Sequence, residues 1–267
     1  MTPQKLQQIV WKHYTQNGRT HLPWRKKSAT PYEILVSEVM LQQTQVDRVI
    51  PKFKTFIRAF PSFKTLAHAR QSDVLKLWQG LGYNRRALNL KKTAEIISTK
   101  HSGRLPHDDD VLRTLPGIGP YIAGAVRAFA FNIPSVFIET NIRTVFLHHY
   151  FAGKTDVDDR DILPLIEKTL DHDNPKDWYA ALMDYGAHLK RVHTNPSRGS
   201  KHHTTQSRFE GSRRQKRGII LKLLTETERQ STSEITKHLG EPSLPIIKQL
   251  EREGFVVRTE NGWELLS

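Results

Sequence analysis

A chain of 267 residues with 37% hydrophobic and 25% charged residues has the apolar mass for one large domain or two modest ones, and it fits neither a disordered nor a membrane protein. Its 41 Lys and Arg against 27 Asp and Glu leave a formal charge of +14, so polyanions are favoured through counterion release and nucleic acid is the first partner expected. There is no cysteine, which excludes disulfides, thiolate zinc sites and cysteine-ligated iron–sulfur clusters. No membrane-length apolar run occurs, and the N-terminal MTPQKLQQIVWKHY lacks the apolar core and cleavage site of a signal peptide, so a cytoplasmic protein with no membrane partner is expected. The histidine pairs His148–His149 and His202–His203 have no HExxH-like context, and no metal is expected.

In chain order, residues 3–17 carry Leu6, Ile9, Val10 and Tyr14 at helical spacing and end at Asn17-Gly18. HLPWRKKSATPYEI then brings Arg25, Lys26 and Lys27 together in a proline-rich connection, either a solvated loop or a base contact. From Pro31 the run PYEILVSEVMLQQTQVDRVI is helically periodic, with the proline near the first turn, where its missing N–H costs nothing. Glu38 sits among Ile34, Leu35 and Leu41. Either it reaches solvent at the edge of the apolar face, or it is buried, and burial raises its pKa into the range of a proton donor near neutrality. Further helices are expected over 52–59, 72–79 and 85–100, with no alternating strand pattern of any length before the C-terminal region. In WQGLGYNRRALNL, Tyr83 follows a glycine-flanked turn and precedes Arg85 and Arg86; it is either a wedge between bases or a packing residue at a helix start.

The pattern around which the chain is organised is LPGIGPYIAGAV, residues 115–126. Gly117 and Gly119 predict a tight turn feeding a helix, with a helical segment upstream over 109–114. Such a turn is an ordinary connection, or a phosphate cradle built from free amides at a helix N-terminus. Downstream, Glu139 follows an extended 134–138 and precedes a helix expected from Ile142 with Thr140 or Asn141 as cap. A carboxylate just before a helix N-terminus is expected to stay ionised. Glu38 as a raised-pKa acid and Glu139 as an anion would divide the labour of breaking a glycosidic bond. Two helices span 161–189, with Asp184 in an otherwise apolar run. The stretch 190–217 is dense in Lys and Arg (190, 191, 198, 201, 208, 213, 214, 216 and 217) and is read as a basic loop over phosphates or a solvated linker. Residues 214–267 run helix, helix, helix, hairpin, with the turn at Glu260-Asn261-Gly262; this is winged-helix order, suited to DNA or protein, and the piece is small enough that it should pack on the main domain.

Helix, glycine hairpin, helix and a following carboxylate resemble the helix-hairpin-helix DNA glycosylases. SEVMLQQTQV brings residues 1 to about 190 closer still, to the adenine DNA glycosylases of the MutY type. The resemblance implies an all-α fold, with a six-helix barrel over about 27–133 and a second lobe from 1–26 and 134–205; the residues beyond it are read as a basic linker over 206–213 and the small winged-helix-like α+β module over 214–267. It implies that Glu38 protonates the departing adenine, that Tyr121 lies against Glu38, and that Glu139 and Asn141 belong to the active site. Gln42, Gln43 and Thr44 would enter the duplex, Tyr83 would intercalate, Arg25 and Asp184 would line the adenine pocket, and Gly117 and Gly119 would grip the strand. Arg213 and Arg214 are expected on DNA through the basic stretch. Tyr121 stands where the bifunctional lyases carry lysine, so no Schiff base forms there and the enzyme would be monofunctional.

Three departures matter. Glu139 replaces the usual aspartate, Lys190 stands where the first cysteine of a four-cysteine iron–sulfur cluster would fall, and the winged-helix-like module stands where the family has its reader of 8-oxoguanine. The expected protein is therefore a monomeric, cofactor-free glycosylase that flips out adenine mispaired with 8-oxoguanine or guanine in double-stranded DNA. The alternatives are a glycosylase for another mismatch such as T:G, and a catalytically weak DNA-binding protein.

Overall fold

Thr2 starts the first helix in the computed structural model, which describes residues 1–205 and 208–266. Residues 206 and 207 of the expected linker, and Ser267, lie outside the described residues. The helices run α1 (Pro3–Asn17), α2 (Pro31–Leu41), α3 (Val46–Ala59), α4 (Phe63–Ala67), α5 (Gln71–Trp78), α6 (Arg85–Lys100), α7 (Asp109–Thr114), α8 (Pro120–Phe131), α9 (Thr140–Tyr150), α10 (Asp159–Thr169) and α11 (Pro175–Val192). After them come α12 (Arg213–Thr227), β1 (Arg229–Gln230), α13 (Thr232–Leu239), α14 (Leu244–Arg252), β2 (Val256–Thr259) and β3 (Gly262–Leu265). The fold is mostly helical, as expected. Contacts divide the chain into two compact units, 1–38 with 106–205, and 39–105 with 206–267.

In the first unit α9 packs on α11, α11 on α1 and α8, and α10 on α1 and α9. Their apolar faces bury Leu6, Val10, Val145, Phe146, Trp178 and Tyr179, which is what makes these helices stable as a group rather than singly. Between α8 and α9 the chain is extended and tied down. Phe137 stacks on Tyr179 with centroids 3.9 Å apart, and the Tyr179 hydroxyl donates to Ser135 O at 2.5 Å. That segment delivers Glu139 to the start of α9. The turn after α11, Pro196–Gly199, is held by backbone bonds to Val157: its amide donates to Gly199 O at 3.0 Å and its carbonyl accepts from the Lys201 amide at 3.0 Å.

In the second unit α4 and α5 pack on α6, and α3 on α5, with Phe56 edge-on to Trp78 at 5.9 Å. The helical run that begins at Pro31 does not continue to residue 50. It stops at Leu41 and restarts at Val46, with Gln43 in the left-handed region at φ 54°. The cause is distant in sequence. The Arg86 guanidinium takes the carbonyls of Val39 (2.7 Å), Met40 (3.0 Å) and Gln42 (2.7 Å), giving these acceptors at the end of α2 a cation in place of a further helical turn.

The C-terminal module has the expected helix order and hairpin, and adds β1, giving an antiparallel sheet in the order β1-β3-β2 with Val256 opposite Leu265. It packs on residues 39–105. α12 lies on α5, Gln79 bonds the Thr225 hydroxyl, Gln71 Nε2 donates to Gly254 O at 2.9 Å, and Glu253 accepts from both Arg217 (2.7 Å) and Arg85 (3.0 Å). Among the described residues no helix is long and apolar enough to cross a membrane, and no group of three His, Cys, Asp or Glu residues is placed to hold a metal ion.

Candidate active site

In the first unit the glycine hairpin is a turn of Leu115-Pro116-Gly117-Ile118, closed by the Ile118 amide on Leu115 O at 3.1 Å. Proline second and Gly117 third at φ 79° are what a type II turn requires. Gly119 is not a second positive-φ glycine: at φ −91°, ψ −179° it is extended. Its contribution is space. A Cβ there would meet nothing within 4 Å, and as N-cap of α8 it puts no side-chain acceptor on the first-turn amides, which leaves the helix end open to an anion.

One residue past Pro120, α8 carries Tyr121, whose hydroxyl donates to Glu38 Oε2 at 2.7 Å. Glu38 does not reach solvent from the edge of α2: it is 4% exposed. Burial pushes its pKa up to about 7 against the Tyr121 hydrogen bond, which favours the anion; the charge of Glu139 raises it further and that of Arg25 lowers it. The Tyr121 phenol is itself driven well above its ordinary value by burial and by the two carboxylates, so it stays a neutral donor.

Glu139 itself is the N-cap of α9, in place of Thr140 or Asn141. Its Oε1 accepts from the amides of Asn141 (2.7 Å) and Ile142 (2.8 Å), and Oε2 lies 3.4 Å from the Asn141 Nδ2 donor. The expectation of an anion favoured by the helix dipole needs correction. Burial raises the pKa of Glu139, and the capping amides with Lys190 and Arg143 pull it back only in part. Sequence shows the helix terminus but not the depth at which it is buried.

Asp184 on α11 is also buried, and it gathers two cations. Arg25 grips it with a two-pronged bond, Nη1 to Oδ2 at 2.7 Å and Nη2 to Oδ1 at 3.0 Å, while Arg19 gives its amide (2.8 Å) and its Nε (2.7 Å). Burial would raise the Asp184 pKa, but the Arg25 fork and the Arg19 contacts outweigh it and the net shift is downward. Arg25 and Asp184 are thus brought together as a mutual clamp. Arg19, unmarked in the sequence, is its third member.

The second unit holds Gln42, Gln43, Thr44, Tyr83, Arg213 and Arg214. Arg86 organises the first four. Besides the α2 carbonyls it donates to Thr44 Oγ1 (3.2 Å), Leu81 O (3.0 Å) and Gly82 O (3.0 Å), so one guanidinium ties the 42–44 connection to the turn before Tyr83. Burial lowers its pKa to about 10, still a cation at neutrality. The basic pair after Tyr83 therefore does structural work: Arg86 binds carbonyls, and Arg85 pairs with Glu253. Tyr83 has φ 47°, a strained conformation for a bulky residue, and remains 37% exposed. The Arg214 Nη1 donates to its hydroxyl at 2.7 Å.

The stretch 190–217 is not one loop over phosphates. Lys190 and Arg191 close α11, Arg213, Arg214, Lys216 and Arg217 open α12, and Lys216 and Arg217 are paired with Glu241 and Glu253. Lys190 Nζ instead donates to Asn141 Oδ1 at 2.8 Å. A lysine ammonium cannot ligate iron, the chain has no cysteine, and the turn that follows is fastened to Val157, so these residues do not fit a thiolate-bound cluster.

Residues 36–168 match the model of the HhH-GPD superfamily of base excision DNA repair proteins. An adenine DNA glycosylase of Mycolicibacterium smegmatis is 34% identical over 239 residues, covering 83% of this chain and 80% of its own. One from Buchnera aphidicola (Baizongia pistaciae) is 38% identical over 200 residues, covering 73% of this chain and 56% of its own. The chain spans only 54% to 56% of the length of three such Buchnera relatives. Among solved structures, a thermostable thymine-DNA glycosylase superposes with a TM-score of 0.59 at 26% identity, over 69% of this chain and 87% of that one. The chain belongs to the HhH-GPD superfamily of base excision DNA repair proteins and, within it, to the family of the adenine DNA glycosylases.

Proposed function

We propose that this protein is a monofunctional adenine DNA glycosylase that hydrolyses the N-glycosidic bond of adenine mispaired with 8-oxoguanine or guanine. The observation that carries the reading is Glu38: a carboxyl buried on α2, held by Tyr121 Oη at 2.7 Å, with a pKa pushed up to about 7, keeps a protonated fraction at neutral pH and is able to give a proton to a base. Protonation of the flipped adenine lets the C1′–N9 bond break with its electron pair leaving on nitrogen. The sugar becomes an oxocarbenium ion, and the Glu139 carboxylate supplies the opposing charge. Water then adds to C1′ and loses a proton to the Glu38 carboxylate, leaving an abasic sugar and free adenine.

Tyr121 orients Glu38 and offers no amine, so the pathway ends at hydrolysis. Double-stranded DNA as substrate is supported by the formal charge of +14 and by the open Gly119 terminus of α8, with Tyr83 as the residue that fills the emptied stack. Neither metal nor iron–sulfur cluster enters the reaction, and the enzyme works as a cytoplasmic monomer. The test is single-turnover cleavage of A:8-oxoguanine, A:G and T:G duplexes, with alkali treatment, by wild type and Glu38→Gln. Adenine release that depends on Glu38 is expected. Release confined to T:G would move the enzyme to another mismatch, and no release from any duplex despite tight binding would make it a DNA-binding protein.

A further inference from the structure

Asn141 is held from two sides. Its amide nitrogen faces Glu139 Oε2 at 3.4 Å, and its amide oxygen accepts from Lys190 Nζ at 2.8 Å. Lysine has donors and no acceptor, so its ammonium dictates which way the amide is turned: Oδ1 toward Lys190, hence Nδ2 toward Glu139. Without it, either end of the amide could face the carboxylate, and one of the two is repulsive. Lys190 is also brought close by the backbone. Gly186 lies one helical turn earlier on the same face of α11, and a Cβ there would fall 2.1 Å from Asn141 O, so α11 approaches the start of α9 closely only because that residue is glycine.

We propose that Lys190 is a positioning residue for the reaction: from α11 it fixes the Asn141 amide and provides the half-buried positive charge that keeps the Glu139 carboxylate ionised beside the sugar. The inference rests on the role given to Glu139 above. The charges bearing on Glu139 come from three helices and can be separated. Glu38 on α2 opposes its ionisation. Arg143 on α9 favours it, but its guanidinium is already committed to Asp159 of α10 at 2.6 and 2.7 Å. Among the described residues Lys190 on α11 donates to the neutral Asn141 and is paired with no carboxylate, so its charge stands against Glu139 undivided. Its own pKa is lowered, chiefly by burial and also by Arg143, and Glu139 is the charge that opposes this. A glutamate at 139 reaches one methylene further than an aspartate, and the Lys190–Asn141 pair fixes where that longer chain ends.

The experiment uses the full chain with Lys190→Met, Lys190→Gln and Lys190→Arg, in single-turnover cleavage of an A:8-oxoguanine duplex between pH 5 and 9. Loss of the cation makes Glu139 harder to ionise, so in Lys190→Met the acidic limb of the pH–rate profile should move to higher pH by about one unit. The rate below neutrality should fall about tenfold while duplex Kd changes less than about twofold. Lys190→Arg should return the limb toward its wild-type position. Lys190→Gln keeps a donor without the charge, so it should show the limb shift with a smaller loss on the plateau. Replacing a half-buried lysine by methionine keeps the aliphatic stem in place, and melting curves verify that the variants fold. Wild-type limbs in Lys190→Met overturn the proposal, as does a rate lowered equally at all pH values in all three variants. Absence of adenine release by wild type would instead overturn the functional reading itself.

Discussion

A carboxyl whose pKa is raised in the folded state must weaken the fold at the pH where it ionises, and Glu38 allows this to be measured. Its pKa moves from an ordinary 4.5 to about 7, chiefly because it is buried on α2. Below pH 4.5 both folded and unfolded chains carry the proton and nothing is lost. Between 4.5 and about 7 the unfolded chain releases it while the folded chain retains it, so stability falls by about 1.4 kcal/mol for each pH unit crossed. Above pH 7 the full loss, about 3 kcal/mol, is in place and stays constant. Glu38→Gln keeps the shape and a partner for Tyr121 Oη but removes the proton, so the variant should match the wild type at pH 4.5 and exceed it by about 3 kcal/mol at pH 8. The assay is urea unfolding followed by far-UV circular dichroism at pH 4.5, 6, 7 and 8. A stability difference between the two proteins that does not change with pH would refute the burial of an ionising Glu38. So would a variant less stable than wild type at pH 8. In cleavage the same titration acts in the same direction: the wild-type rate should decline as pH rises through about 7, when the acid has lost its proton.

Asp184→Asn leaves Arg19 and Arg25 facing a neutral amide, and breaking so buried a pair should cost about 3 kcal/mol, read as a drop in Tm by calorimetry; a loss below about 1 kcal/mol would show that the clamp is not structural. Gly186→Ala sets a methyl 2.1 Å from Asn141 O, so α11 must move away from α9, with about 1 to 3 kcal/mol lost in urea melts and a slower cleavage step; unchanged values for both would mean that the helices are not in close contact there. Arg213→Ala with Arg214→Ala should lower the slope of log Kd against log salt by about one to two, and an unchanged slope would take the start of α12 off the phosphates.

What sequence could show here was what short stretches decide for themselves. The bounds of α6 and α7 follow from apolar spacing and local signals such as Asp108, whose carboxylate caps α7 through the Val111 amide, and Leu-Pro-Gly-Ile specifies its turn within four residues. The break after Leu41 could not be read in that way. QQTQ is compatible with a helix, and the chain turns there because Arg86, more than forty residues later, takes the carbonyls. The start of α12 is legible within one residue, but the role of its cations is not: a run rich in Arg and Lys reads as a phosphate contact until Glu241 and Glu253, on either side of α14, take Lys216 and Arg217 as partners.

At the candidate site the division falls between residue type and setting. SEVMLQQTQV and the hairpin mark Glu38 and Tyr121 by pattern, but whether Glu38 is an acid or a solvated edge residue depends on burial, which periodicity leaves open because a carboxylate at the margin of an apolar stripe can turn either way. Glu139 shows the converse. The helix terminus that would favour its charge is legible; the burial that opposes it comes from the packing of the whole unit, and it wins. Arg19, Arg86 and Lys190 look alike in a chain with an excess of cations, each a basic residue near a loop or helix end. They differ in what they face: a buried aspartate, a set of carbonyls and an amide beside a carboxylate. In such a basic protein a lysine or arginine turned inward is the informative one, because its burial has to be offset by a partner that can be named, whereas an outward one needs none.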